Sequence, residues 1–454
     1  MKMKKSFVAI PLSLSLLLPT AGMVSAHEGH SMNTMQKGPV TVTNPAIDLR
    51  ASLDQLLSEH AYLAVITMQK GADGGKDFQQ AADALNNNTN DLSKAIASVY
   101  GNEAGQQFKS IWGSHIGYFV DYVKATGKKD EKAKQKARNN LANYRVKQAK
   151  FLASATKNRL KASDLEAGLK MHITELMNAF DHYVQKDYTT AYKKTRESIN
   201  HMYGVGKNLA WAITDQFPAK FKHTKPNTAA ADLREGLNYL LSEHAALAVT
   251  TMQKGAMGAK DFTAAANALS QNTNDLSKTI ASVYGEKAGQ QFKEIWSSHI
   301  GYFVDYVKAT GNKDEKAKAK AMKNLDAYRV KQAKFLETAT KGRLKASDLE
   351  AGLKVHVDEL LKAFNSYVDK DYNTTYPTVR EAYAHMFEVG KGLSGAIAQQ
   401  FPNKFKGMPS MPKTGMGGAS ETDNMDVVLW SFAGLAAAAA MGAIVLRRKG
   451  DHKA

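Results

Sequence analysis

The hexapeptide Leu-Leu-Ser-Glu-His-Ala at positions 56–61 returns at 240–245. The offset of 184 holds without a gap from Asp48, Leu49 and Arg50 to Gln216, Phe217 and Pro218. The chain therefore contains one module used twice. Its unit is far longer than a solenoid repeat, which cannot bury its own hydrophobic face, so each copy has enough chain to be a complete domain. Most aligned positions are identical, so the two copies should share one fold and any function should be doubled.

Within each module the apolar residues follow a helical period, with no sustained alternation of the kind a half-buried strand needs. The expected class is all-α, two tandem six-helix bundles. In the first module helices are predicted near 47–70, 77–100, 103–126, 130–156, 163–183 and 189–216. Gly71, Gly101 and Gly127 end the first three, and Ser163-Asp164-Leu165-Glu166 opens the fifth with a cap. The lysine-rich start of the fourth, Lys132 to Lys136, reads as a solvated face.

The two ends differ from the modules. Residues 1–26 have a Lys-bearing start, a short apolar run and Val-Ser-Ala, the pattern of a cleaved secretory signal. Cleavage there exposes His27 and His30, followed by Met32 and Met35, a set of imidazoles and thioethers able to catch copper loosely. At the other end Met411, Pro412, Lys413, Thr414 and Gly415 precede a polar spacer, an apolar run over 427–446 and Arg447-Arg448-Lys449. At 1.5 Å rise that run reaches roughly 30 Å, enough to cross a bilayer.

This order of pentapeptide, apolar helix and basic tail resembles the sorting signal of Gram-positive surface proteins. The resemblance implies a sortase as partner, cleavage between Thr414 and Gly415, and attachment to peptidoglycan at the extracellular face of the cell wall. The family's usual first residue is Leu, where this chain has Met411.

The chain accordingly divides into a signal peptide (1–26), a polar tail (27–45), module one (46–222), a linker (223–231) and module two (232–406). A Gly/Met/Pro/Ser stretch with the sorting motif (407–426), a transmembrane helix (427–446) and a basic tail (447–454) follow. A net charge of +18 on an exported chain favours anionic partners such as teichoic acid; no motif points to specific nucleic-acid recognition.

The chemistry rests on histidine. Without cysteine the chain can form no thiolate zinc site, iron–sulfur cluster or thioether-linked haem. Four histidine pairs occupy equivalent places: His60 and His244, His115 and His299, His172 and His356, His201 and His385. The first three of each module fall on apolar helix stripes, one per helix, so three imidazoles can converge inside one bundle; His201 lies at the flank of its stripe. Glu59, Glu175 and Glu197, repeated as Glu243, Glu359 and Glu381, accompany them as candidate ligands or orienting groups. Such donors suit copper, iron or haem. Asn88 and Asn272 read as buried amides tying helices together, and Met68, Met202, Met252 and Met386 as core fillers.

The Glu-His of the first helix, Tyr-Gly then Ala-Gly near 100–105, His-Ile at 115–116 and the terminal Gln-Phe-Pro resemble a group of exported bacterial helical proteins. Some of these carry the label copper amine oxidase. That activity needs an Asn-Tyr-Asp or Asn-Tyr-Glu for its quinone, a His-x-His copper pair and a β-rich domain, and this sequence has neither motif and no β pattern. The residues lean away from catalysis. They favour a wall-anchored metal or haem binder, with a structural or adhesive wall protein as the alternative.

Overall fold

The computed structural model describes residues 40–406, and among these every regular element except one short 3-10 turn is an α-helix. Module one comprises α1 (Pro45–Asp73), α2 (Phe78–Tyr100), α3 (Asn102–Gly127), α4 (Glu131–Ala155), α5 (Ala162–Val184) and α6 (Tyr188–Gln216). Module two repeats them as α7 (Ala229–Ala256), α8 (Phe262–Tyr284), α9 (Glu286–Gly311), α10 (Glu315–Ala339), α11 (Ala346–Val368) and α12 (Tyr372–Gln400). No helix among the described residues is long and apolar enough to cross a membrane. The signal over 1–26, the His27 to Met35 tail, the sorting motif and the run over 427–446 lie outside the described residues.

In each module every helix packs against the next in sequence, and the last returns to the first, closing a ring: α6 against α1, α12 against α7. Short connections force neighbours to run antiparallel, and the contact of the last helix with the first closes the ring. Three local expectations are corrected. Helix α1 runs through Gly71 to Asp73 and stops at Gly74, whose φ of 62 supplies the left-handed cap. Gly71 instead makes room, since a Cβ there would stand 3.1 Å from both Phe78 and Val123. Helix α5 starts at Ala162 without a side-chain cap, and Ser163 bonds Asp164 rather than the backbone. Helix α7 begins at Ala229, inside the stretch expected as linker, because the Thr228 hydroxyl accepts the Ala231 amide at 3.0 Å.

The modules join through α1, α2 and α6 of the first and α7, α8 and α12 of the second, and the principal ion pairs occur twice. Arg380 forks onto both Glu59 oxygens at 2.9 Å and reaches Asp91 at 3.0 Å. Arg196 does the same to Glu243 at 3.0 and 2.9 Å and to Asp275 at 2.9 Å. Arg50 meets Asp232 at 2.6 Å as Arg234 meets Asp48 at 2.7 Å. Tyr383 donates to Ser58 at 2.9 Å, and Tyr203 lies 3.1 Å from Ser242. This is the pattern of an isologous dimer interface, built inside one chain by duplication. It explains why α1 and α7 are buried nearly all round and their polar residues meet protein rather than solvent.

Removing one member of a buried ion pair strands the other charge, at a cost of about 3–5 kcal/mol. Arg380→Ala should therefore lower unfolding free energy by roughly 3 kcal/mol. The double variant with Glu59→Gln should recover part of that loss. Equal stability of Arg380→Ala and the parent in urea unfolding would show that the pair contributes nothing.

Candidate metal centre

The repeated hexapeptide sends its polar side chains in different directions, because successive helical residues diverge by about 100°. Ser58 takes the Tyr383 hydroxyl across the interface. Glu59 is held by Arg380 and by the Asn88 amide at 2.7 Å. His60 alone turns into the module. Glu59 therefore stands away from the histidines, and Glu243 likewise, bound by Arg196, Asn272 and Tyr239. Asn88 and Asn272 do tie helices together, each also donating to a backbone carbonyl of the neighbouring helix at 2.8 Å.

Alternate helices of the ring bring three imidazoles to its centre: His60 from α1, His115 from α3 and His172 from α5. All are buried, and one ring nitrogen of each lies within 4.8 Å of the others. His244, His299 and His356 repeat the arrangement in module two. His60 Nε2 and His115 Nε2 are 3.1 Å apart, and the corresponding pair in module two 3.2 Å.

The tautomers follow from the partners. A carbonyl only accepts, so the short contact between His115 Nδ1 and the Trp112 carbonyl places the proton on Nδ1 and leaves a lone pair on Nε2. His60 Nε2 then donates to it. The Trp112 carbonyl thus orients His115 with its lone pair toward the centre, as the partner of a metal-ligating histidine does. His299 has the same contact with Trp296.

Burial holds these rings neutral. It lowers His115 to about 4 and His299 to about 3, against an ordinary value near 6.5. His60, His172, His244 and His356 are lowered well below that value, first by burial and then by the neighbouring imidazoles. Neutral imidazole is the form that ligates a metal.

The surroundings contain more polar atoms than they satisfy. Both nitrogens of His172, the His60 Nδ1, Trp112 Nε1, Tyr144 hydroxyl and both amide atoms of Gln148 are buried without a hydrogen-bond partner among the described residues. The equivalent atoms of His356, His244, Trp296, Tyr328 and Gln332 repeat the pattern. Tyr144 stacks on His115 with ring centroids 4.6 Å apart, and Trp112 stands 4.9 Å from both His60 and His115. Buried polar atoms in folded proteins nearly always have a partner, protein or ordered water, and the free nitrogens of the triad are available to an ion as well as to water.

The remaining candidates are not brought to the triad. His201 on α6 lies behind His172, lowered to about 4 by burial with the Gly168 carbonyl opposing the shift. Its counterpart His385 pairs with Glu359 at 3.4 Å, so the acid three residues after His356 serves the outer histidine. Glu175 occupies the equivalent place on α5. Glu197 bonds Lys194 at 2.6 Å, and Glu381 lies exposed near Lys362. Sequence reasoning missed Trp112, Tyr144 and Gln148 with their repeats. Trp112 lies three residues before His115, and Tyr144 and Gln148 are one turn apart on the buried stripe of the otherwise lysine-rich α4.

No family model, curated protein or solved structure matches this chain.

A ring neutral in the fold and titrating near 6.5 when unfolded binds fewer protons folded than unfolded between those values. Stability from it is therefore complete above about pH 6.5 and is lost as pH falls toward 4. For His115 the full loss is about 3 kcal/mol. Unfolding free energy measured at pH 7 and pH 4.5 should fall less steeply for His115→Phe than for the parent; identical slopes would mean that His115 is not held neutral.

Proposed function

We propose that each module binds one transition-metal ion on its histidine triad, with copper(I) as the first choice. The observation that carries this is the orphaned, buried, convergent set itself: three neutral imidazoles with no carboxylate among them, one with both nitrogens partnerless. Metal–nitrogen bonds of about 2.0–2.1 Å set ligand nitrogens roughly 3.3–3.6 Å apart, close to the spacing of the His60–His115 pair. Imidazole suits copper, zinc, iron and nickel. Neutral ligands leave the ion's charge uncompensated in a dry core, and desolvation cost rises with the square of charge, so a monovalent ion is favoured. Haem fits less well, since its iron takes axial ligands on opposite faces of a flat ring, and three convergent nitrogens leave no plane between them.

The same reading places the protein outside the cell, fixed to the wall of a Gram-positive bacterium through Thr414, with the two modules as a metal-holding head. The support is the order of motif, apolar run and basic tail in the sequence. Muramidase should release the protein from cells while detergent alone leaves it behind; extraction by detergent with the 427–446 segment intact would contradict wall attachment. A second reading, contact with anionic wall polymer, is favoured by the exposed Lys132 and Lys136 of α4 and Lys316 and Lys320 of α10. Such binding weakens with salt and ignores metal.

Copper titrated anaerobically into the purified full chain should fill one site in each module. His115→Ala should abolish one, the double variant with His299→Ala both, with helical content by circular dichroism unchanged. Occupancy unaffected by the double variant would overturn the proposal.

A further inference from the structure

Each module has an apolar hollow that ends on two of its three histidines. In module two it is one cavity of about 500 Å³, running from Gly255, Gly258 and Asn312 at the bundle end to His244 and His299. In module one the same positions enclose two spaces. An inner chamber of about 20 Å³ touches His60 and His115, and an outer hollow of about 480 Å³ lies between Gly71 and Gly127. Phe78, Val120 and Val123 line both spaces and so form the partition. Their counterparts Phe262, Val304 and Val307 line the continuous cavity of module two. The phenylalanine has room there only because Gly71 and Gly255 lack side chains: a Cβ at either would stand 3.1 Å from its ring.

The lining selects the visitor. Beyond the partition of module one the walls are Ala64, Met68, Leu85 and Phe119 with the hydroxyl of Thr67, and no charged group. In module two the counterparts Ala248, Met252, Leu269, Phe303 and Thr251 line the histidine end, and Lys308 is the one charged residue of the lining. An ion entering there would lose its water with nothing to replace it. In module one a bulky molecule would not pass Phe78, Val120 and Val123. Neither His172 nor His356 lines these spaces, so they open onto the side of the triad between the first two histidines. Three protein ligands leave a metal with an open position. We infer that the hollow is the route and binding site by which a small uncharged diatomic molecule of the dioxygen class reaches the metal, open in module two and closed by Phe78 in module one. This rests on the metal reading above.

Carbon monoxide is the probe, because it binds copper(I) without being consumed and its stretch reports the copper carbonyl directly in the infrared. The full chain loaded with copper(I) should give a carbonyl band, with module two reacting first. Ala248→Leu, which fills the cavity beside His244, should remove the fast component while copper content stays unchanged; Phe262→Trp plugs the neck and should do the same. Phe78→Ala should speed the slow component. Xenon, an apolar probe that needs no metal, should bind the parent chain and lose a site in Ala248→Leu. Full copper with no carbonyl band, or a band indifferent to both blocking variants, overturns this inference alone. A chain that takes up no copper overturns the metal reading and this inference together.

Discussion

Three imidazoles stripped of water at the centre of a helical ring set the terms for everything around them. Each has lost the solvent that would carry its charge, so each stays neutral, and each needs a partner for two nitrogens. His115 has both, from the Trp112 carbonyl a turn earlier on its own helix and from His60 Nε2; His60 has one and His172 neither. The stacked Tyr144 and the nearby Trp112 fix the rings sideways but leave their own polar atoms unmet. A core so arranged sacrifices stability, because each orphaned polar atom costs about 1–3 kcal/mol. An ion bound as proposed would draw the nitrogens together and recover part of it.

The duplication explains how so polar a helix as α1 can be central. Its Glu59 sits next in sequence to His60 yet is paired from the other module by Arg380, on a different face of the helix. The acid is thus kept out of the histidine cluster, which contains only imidazoles. The reciprocal Arg196–Glu243 pair serves module two. The sequence next to each histidine triad is therefore gripped by the neighbouring module, and α1 and α7, which carry the first histidine of each triad, touch each other between them. Tyr62 extends that contact, its hydroxyl 3.2 Å from both the Ala246 carbonyl and Thr250.

Much of this was legible from residues alone. The gapless repeat and the helical period gave twelve helices in two sets, and the stripe positions of His60, His115 and His172 pointed to convergence. Periodicity reports which face is apolar, which is why it worked for the triad. It failed where burial came from another module: Glu59 and Glu243 look like companions of their histidines until the 100° turn between neighbours and the distant arginines are seen. It also failed where one residue type does two jobs. Gly71 reads as a helix stop, yet it lies inside α1 and clears space for Phe78. Tyr144 and Gln148 were hidden because the exposed lysines of α4 drew the eye to its other face.

The donors that a bound ion would take are the three imidazoles of each triad. X-ray absorption at the metal edge of the loaded full chain reads them directly. Three nitrogen neighbours at about 2.0 Å with the outer-shell scattering of imidazole rings, and no sulfur, is the predicted result. A shell containing methionine sulfur, or a single imidazole among oxygens, would place the metal on the His27 to Met35 tail or the surface and contradict a centre built by the triads.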